Sequence, residues 1–335
     1  MQWLPALSRS QEKVKRNPSM SEEEWQWFQL SQSATKLSAS EMASLEKQLL
    51  VEPANLDIRV QVFAYYSQRE GNVLKHKNAD RKLSEQILWW IENYPSVKGF
   101  MGYYISKQGS SFKPKTFAAL RQAWLEQVSK NPLDGTLLGN AACFIAWNDF
   151  ETASELFERA DEQQPNSGLL GSYLIHCNAA LHKAPAASVD KLRKQVIDVG
   201  IRSLEDKAHC TPFLDCMYIS DAALELGRFD IVNRCAEILQ SEEDEASLQM
   251  ANGYLALVAL RQNNLSLAVE LLLKTKTAYL PLDVTFRLAK ELFDAGERES
   301  IVQMILNLKK RTTKASARKR WLKQIANDER PDFDY

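Results

Sequence analysis

Four histidines (His76, His176, His182, His209) and five cysteines (Cys143, Cys177, Cys210, Cys216, Cys235) are the residues of this sequence best suited to metal, acid–base or nucleophilic chemistry. Their spacing does not assemble a site. His176-Cys177 and His182 form one group, but residues six apart on a helix point to different faces and do not share a metal easily. His209, Cys210 and Cys216 form a second group whose spacing fits no zinc-ligand pattern. The cysteine number is odd and no C-x-x-C pair occurs, so the thiols read as small buried hydrophobes in a reducing compartment. No H-E-x-x-H, phosphate-binding G-x-x-x-x-G-K-[ST], G-x-G-x-x-G or G-x-S-x-G motif is present. The acidic run Ser241-Glu242-Glu243-Asp244-Glu245 reads as a solvated loop. The expectation is therefore a non-enzyme with no catalytic residue, cofactor or metal.

Two other groups point to binding. Lys309, Lys310, Arg311, Lys314, Arg318, Lys319, Arg320 and Lys323 fall within one short stretch, with Trp321 beside them. Such a run suits phosphates, and the indole suits stacking on a base, so Lys310, Arg318, Arg320 and Trp321 are candidate contacts for nucleic acid or another anionic partner. The competing reading is a solvated end cap. The second group is aromatic. Adjacent Trp89 and Trp90 point about 100° apart on a helix, so only one of them can fully face the core of its own helix pair. A Gly- and Ser-rich stretch from Val97 to Ser111 carries Phe100, Tyr103 and Tyr104 and reads as an irregular insertion with exposed aromatics. All five aromatics are candidate partner contacts.

The elements that position these groups are helices. The 335 residues are 45% hydrophobic and 25% charged with a net charge of −1, so no global bias toward nucleic acid or anionic membrane exists. Only 12 glycines and 11 prolines occur, too few for a turn-rich β-fold. No apolar run approaches the length of a membrane span, and the first residues do not resemble a secretory signal, so the expected location is cytoplasmic. Residues 1–20 lack periodicity and read as a flexible arm. Ser21 followed by three glutamates offers a helix start. Ser38 to Val51 reads as the next helix, with Met42, Leu45, Leu49 and Leu50 on one stripe.

Helix-stopping phrases recur at Pro53, Pro95, Pro132 and Pro165, separated successively by 42, 37 and 33 residues. Two helical segments lie between successive stops. The clearest unit, Gly135 to Pro165, places Ala141, Ala153 and Ala160 where helices must approach closely and Leu137, Phe144 and Phe157 where gaps must be filled. This pattern resembles the tetratricopeptide repeat (TPR) family. Leu226-Gly227-Arg228-Phe229 resembles the turn within a TPR unit. Ile87 to Pro95, Leu138 to Ala142, Leu288 to Glu299 and Pro331-Asp332-Phe333 together resemble a group of bacterial TPR proteins with no assigned activity.

The resemblance implies an all-α fold, a right-handed solenoid of antiparallel helix pairs, over residues 21–310. Residues 311–335 are then a basic capping helix and tail. It also implies a scaffold that binds a protein or peptide on its inner surface. TPR proteins that clamp a C-terminal carboxylate use basic and amide side chains there. The matching positions here are Leu138, Gly139 and Ala142, and Val60, Gln61 and Ala64, so an apolar inner groove is expected. Nucleic-acid binding through the last helix is the alternative.

Overall fold

The computed structural model describes residues 21–67, 78–206, 212–242, 244–274, 282–308 and 314–333, without the side chains of Phe100, Leu282 and Asp283. The expected arm at 1–20 lies outside them, as do His76, His209, Cys210, Lys309, Lys310 and Arg311. Among the described residues the fold is entirely helical, and no helix is long and apolar enough to cross a membrane. The chain divides into two compact units, residues 2–176 and 177–335.

The first unit contains α1 (Glu22–Ala34), α2 (Ala39–Val51), α3 (Leu56–Ser67), α4 (Ala79–Asn93), α5 (Gly99–Lys107), α6 (Pro114–Lys130), α7 (Gly135–Ile145), α8 (Phe150–Gln163) and the start of α9 (Leu169–Leu181). Local chemistry sets its boundaries. Ser21 and Ser38 accept from the backbone of Glu24 and Glu41, whose carboxylates reach back to the serine amides, a reciprocal pairing that satisfies two orphan donors at each start. Asp134 and Asp149 cap α7 and α8 in a one-way version of the same contact. At the other ends, α2, α4, α6 and α8 each stop two residues before the recurrent prolines.

Packing follows the small–large pattern. Leu137, Ala141, Phe144, Ala153, Phe157 and Ala160 are all fully buried where α7 meets α8. Phe144 stacks on Phe117 of α6, and Phe157 on Tyr173 of α9. Helices α2 and α3, α3 and α4, α6 and α7, and α7 and α8 pack in sequence, and next-but-one helices also touch: α1 meets α3, α4 meets α6, and α5 meets α7. That is the connectivity of a helical stack in which every unit buries two faces.

The stretch from Val97 corrects one expectation. It is not an irregular insertion but a regular helix, α5, closed by a 3-10 turn at Gln108–Ser111. Its glycines mark close contact rather than disorder. A Cβ on Gly102 would lie 2.9 Å from Asn140 Oδ1, and one on Gly109 would lie 2.0 Å from the Phe144 carbonyl oxygen. Asn148 Nδ2 then donates to the Gly109 carbonyl at 2.9 Å. The helix forms because α7 lies against it, a tertiary reason that local propensity does not contain.

The second unit contains the end of α9, then α10 (Ala186–Glu205), α11 (Pro212–Glu225), α12 (Phe229–Ser241), α13 (Glu245–Arg261), α14 (Leu265–Lys274), α15 (Leu282–Asp294), α16 (Arg298–Asn307) and α17 (Ala315–Ala326). Helices α10 through α17 pack in chain order, and α11 touches α13, α13 touches α15, and α14 touches α16. Gly227, at φ +68°, supplies the left-handed residue between α11 and α12, as its place in the sequence predicts.

Candidate functional site

In the first unit the aromatic candidates divide by burial. Trp90 is buried to 1% exposure and meets Trp27 edge-on at 6.1 Å, so it belongs to the core and is closed to a partner. Trp89 remains half-exposed. Its ring lies under the Arg59 guanidinium at 4.1 Å and beside exposed Tyr94 at 5.5 Å. Arg59 is itself buried, held by the Pro53 carbonyl at 3.0 and 2.9 Å and by Gln86 Oε1 at 3.0 Å. Burial pulls its pKa below the usual arginine value. This is a stapled cation–π contact, well suited to holding α3, α4 and the Pro53 turn together.

On α5, Tyr103 is exposed and Tyr104 half-buried, with Lys107 over the Tyr104 ring at 5.9 Å. Burial raises the Tyr104 phenol. The Phe100 side chain lies outside the described residues. His176 of α9 sits edge-on against Trp147 at 4.8 Å and beside Phe157 at 5.8 Å, a packing role. Among the described residues no three His, Cys, Asp or Glu side chains gather where a metal could be held.

The apolar inner groove is not found at its expected positions. Leu138, Gly139, Ala142, Val60 and Ala64 are buried, and Gln61 is half-buried. Small apolar residues there bring helices into contact instead of lining an open surface.

The last helix also departs from expectation. Trp321 is fully buried, and its Nε1 donates to Asp332 Oδ1 at 2.9 Å. It is therefore unavailable for stacking on a base. Arg320 pairs with the same Asp332 oxygen at 3.0 Å, and Arg318 donates to the Leu308 carbonyl at 2.9 Å. Two of the candidate cations thus serve the fold at this end, and Lys310 lies outside the described residues.

The most developed polar face lies in the second unit. Asp221 and Glu225 stand one turn apart on α11, Arg287 and Glu291 one turn apart on α15, and Arg261 ends α13. Arg287 pairs with Glu225, with Glu291 at 3.3 Å and with Asp221 at 3.7 Å. Arg261 pairs with Glu291 at 3.1 Å and Glu225 at 3.8 Å, and Arg193 of α10 reaches Glu225 at 3.4 Å. The hydrogen bond to Glu291 raises the Arg261 pKa further. Beneath the network, buried Tyr254 of α13 donates to the Met217 carbonyl and to Asp221 Oδ1, both at 3.0 Å. Burial first, and the Asp221 charge second, push its phenol well up, so it is a permanent donor that fixes Asp221.

Three arginines and three carboxylates are thus interlocked across four helices while keeping between about a quarter and a half of their side-chain surface open. The sequence holds a faint trace of this face in the acid–acid step Asp221/Glu225 and the base–acid step Arg287/Glu291. Joining them requires knowing that alternate helices lie side by side.

Compared with known proteins, the chain matches no family model and has no significant match among curated proteins.

Proposed function

We propose that this protein is a binding scaffold, a TPR-like right-handed solenoid of antiparallel helix pairs, and that the ionic face of α11, α13 and α15 is where a protein or peptide docks. The observation that carries this reading is the half-open network of Arg193, Arg261 and Arg287 with Asp221, Glu225 and Glu291. Charges already neutralised and held in register lose little entropy when a partner's charges exchange into the network, so the face favours selectivity. A cytoplasmic setting agrees with the thiols of Cys143, Cys216 and Cys235, which are not bridged in disulfides.

Nucleic-acid binding through α17 draws less support, because Trp321 is buried and Arg320 is paired with Asp332. The test is an affinity capture from the native host with wild type, Arg261→Glu and Arg287→Glu. Loss of the same partner from both variants, with salt-sensitive capture by wild type, is the expected result. An unchanged partner set in both folded variants rejects this face as the docking surface.

A further inference from the structure

The last described residues leave α17 and return across it without regular secondary structure, from 329 to 333. Glu329 N–H donates to the Gln324 carbonyl at 2.8 Å, and beyond it side chains hold the segment. Phe333 is buried, stacked on Phe286 of α15 at 4.8 Å with the rings 7° from parallel, and it leans on Trp321 at 5.2 Å. Phe286 and Trp321 meet edge-on at 5.4 Å, so together they form a slot one ring wide. The neighbouring Asp332 places one oxygen on two donors, Trp321 Nε1 at 2.9 Å and Arg320 Nη2 at 3.0 Å. Pro331 is buried, and Arg330 pairs with Asp294 at 2.8 Å. Phe333 adopts φ +52°, a left-handed conformation uncommon for a bulky residue, so the slot dictates the backbone and not the reverse.

A Pro-Asp-Phe sequence held by an aromatic slot, an indole N–H and a guanidinium has the attributes of a short linear ligand in its receptor. These ring and carboxylate contacts come from side chains, and none requires the ligand to be continuous with α17. We propose that the α15–α17 end is a recognition site for extended peptides carrying a carboxylate immediately before an aromatic residue. The chain's own tail occupies it in cis, and a partner's Asp-Phe segment competes for it. The tail's advantage is its tether, which for a short linker amounts to an effective concentration on the order of millimolar. A partner segment therefore binds the closed protein with an affinity reduced by the fraction of open sites. This site is separate from the ionic face, and its test does not depend on that proposal.

The experiment uses the full chain with Phe333→Ala, which empties the slot, and a synthetic peptide copying residues 327–335. Titration calorimetry is expected to show one peptide per folded Phe333→Ala chain and at least tenfold weaker binding to wild type. Peptides carrying alanine at the Phe333 position, or asparagine at the Asp332 position, are expected to lose at least tenfold in affinity. A folded variant that ignores the peptide at millimolar concentration, or takes the alanine peptide equally well, overturns the proposal.

Should Phe333→Ala fail to fold, a protease site inserted between Asn327 and Pro331 allows the wild-type tail to be cut after folding. Native mass spectrometry then reads the outcome. A tail that stays bound and is displaced by excess peptide supports the proposal, whereas immediate release, or retention against excess peptide, refutes it.

Discussion

Replacing Arg287 by methionine tests whether the ionic face is an energetic unit. Methionine keeps much of the apolar stem and removes only the guanidinium. Three ion pairs are lost, to Glu225, to Glu291 at 3.3 Å and to Asp221 at 3.7 Å. Each partner is partly exposed, so each pair contributes about 0.2–1 kcal/mol, and the variant should lose roughly 1–2 kcal/mol. For a unit of this size that is roughly 3–6 °C in the melting temperature. The assay is thermal melting of wild type, Arg287→Met, Glu225→Gln and the double variant, at low salt and at about 1 M salt, where the Debye length falls to about 3 Å. The difference between wild type and Arg287→Met should shrink at high salt. The two single losses should exceed the double loss by about 0.5 kcal/mol or more. Additive losses that ignore salt would refute the reasoning and reduce the network to unrelated surface contacts.

Gly109→Ala should destabilise the first unit by about 1–3 kcal/mol, because the new Cβ meets the Phe144 carbonyl oxygen at 2.0 Å and backbone must move. Gly227→Ala meets nothing within 4 Å and should cost only about 1–2 kcal/mol for its φ of +68°; paired denaturant melts separate the steric from the conformational cost. Asp149 titrates low: burial opposes this, but the Thr152 hydrogen bonds and the Arg121 guanidinium outweigh it. A carboxyl with a depressed folded pKa adds stability above its unfolded value of about 4 and loses it as pH falls through the folded one. The stability gap between wild type and Asp149→Asn, which still caps α8, should therefore close as melts are taken from pH 6 to pH 2.5. Burial pushes the Cys143 thiol up to about 12, against a hydrogen bond with Ser172, although the residue keeps some surface. Alkylation of native protein near pH 8 should be slower at Cys143 than in urea by roughly a thousandfold, measured by peptide mass mapping.

Where a helix begins and ends was legible in the sequence because caps and prolines act within a few residues of themselves. Ser21, Ser38 and Pro53 do locally what their types predict. The core of α7 and α8 was legible for a related reason, since Ala153, Phe157 and Ala160 share a face by helical spacing alone. Helix α5 was not, because Gly102 and Gly109 look like breakers until α7 lies against them. The burial of Trp321 has a longer-range origin: the residues that bury it, Phe286 and Phe333, come from another helix and from the returning tail. The ionic face was the least legible. Arg261 and Glu291 lie 30 residues apart, and Arg287 and Glu225 lie 62 apart, and only stacking brings them together.

Arrays of repeated helix pairs commonly lengthen and shorten over evolutionary time by gaining or losing whole pairs. Here that freedom is restricted by sign. Arg261, on α13, gives its charge both to Glu225 on α11 and to Glu291 on α15. Excision of α13 with α14 would take away Arg261 and the buried Tyr254 anchor, leaving Asp221, Glu225 and Glu291 to Arg287 and Arg193. Duplication of the same pair would insert a guanidinium with no carboxylate of its own. The charge pattern makes the length of this stretch, from α11 to α15, a condition of its own neutralisation.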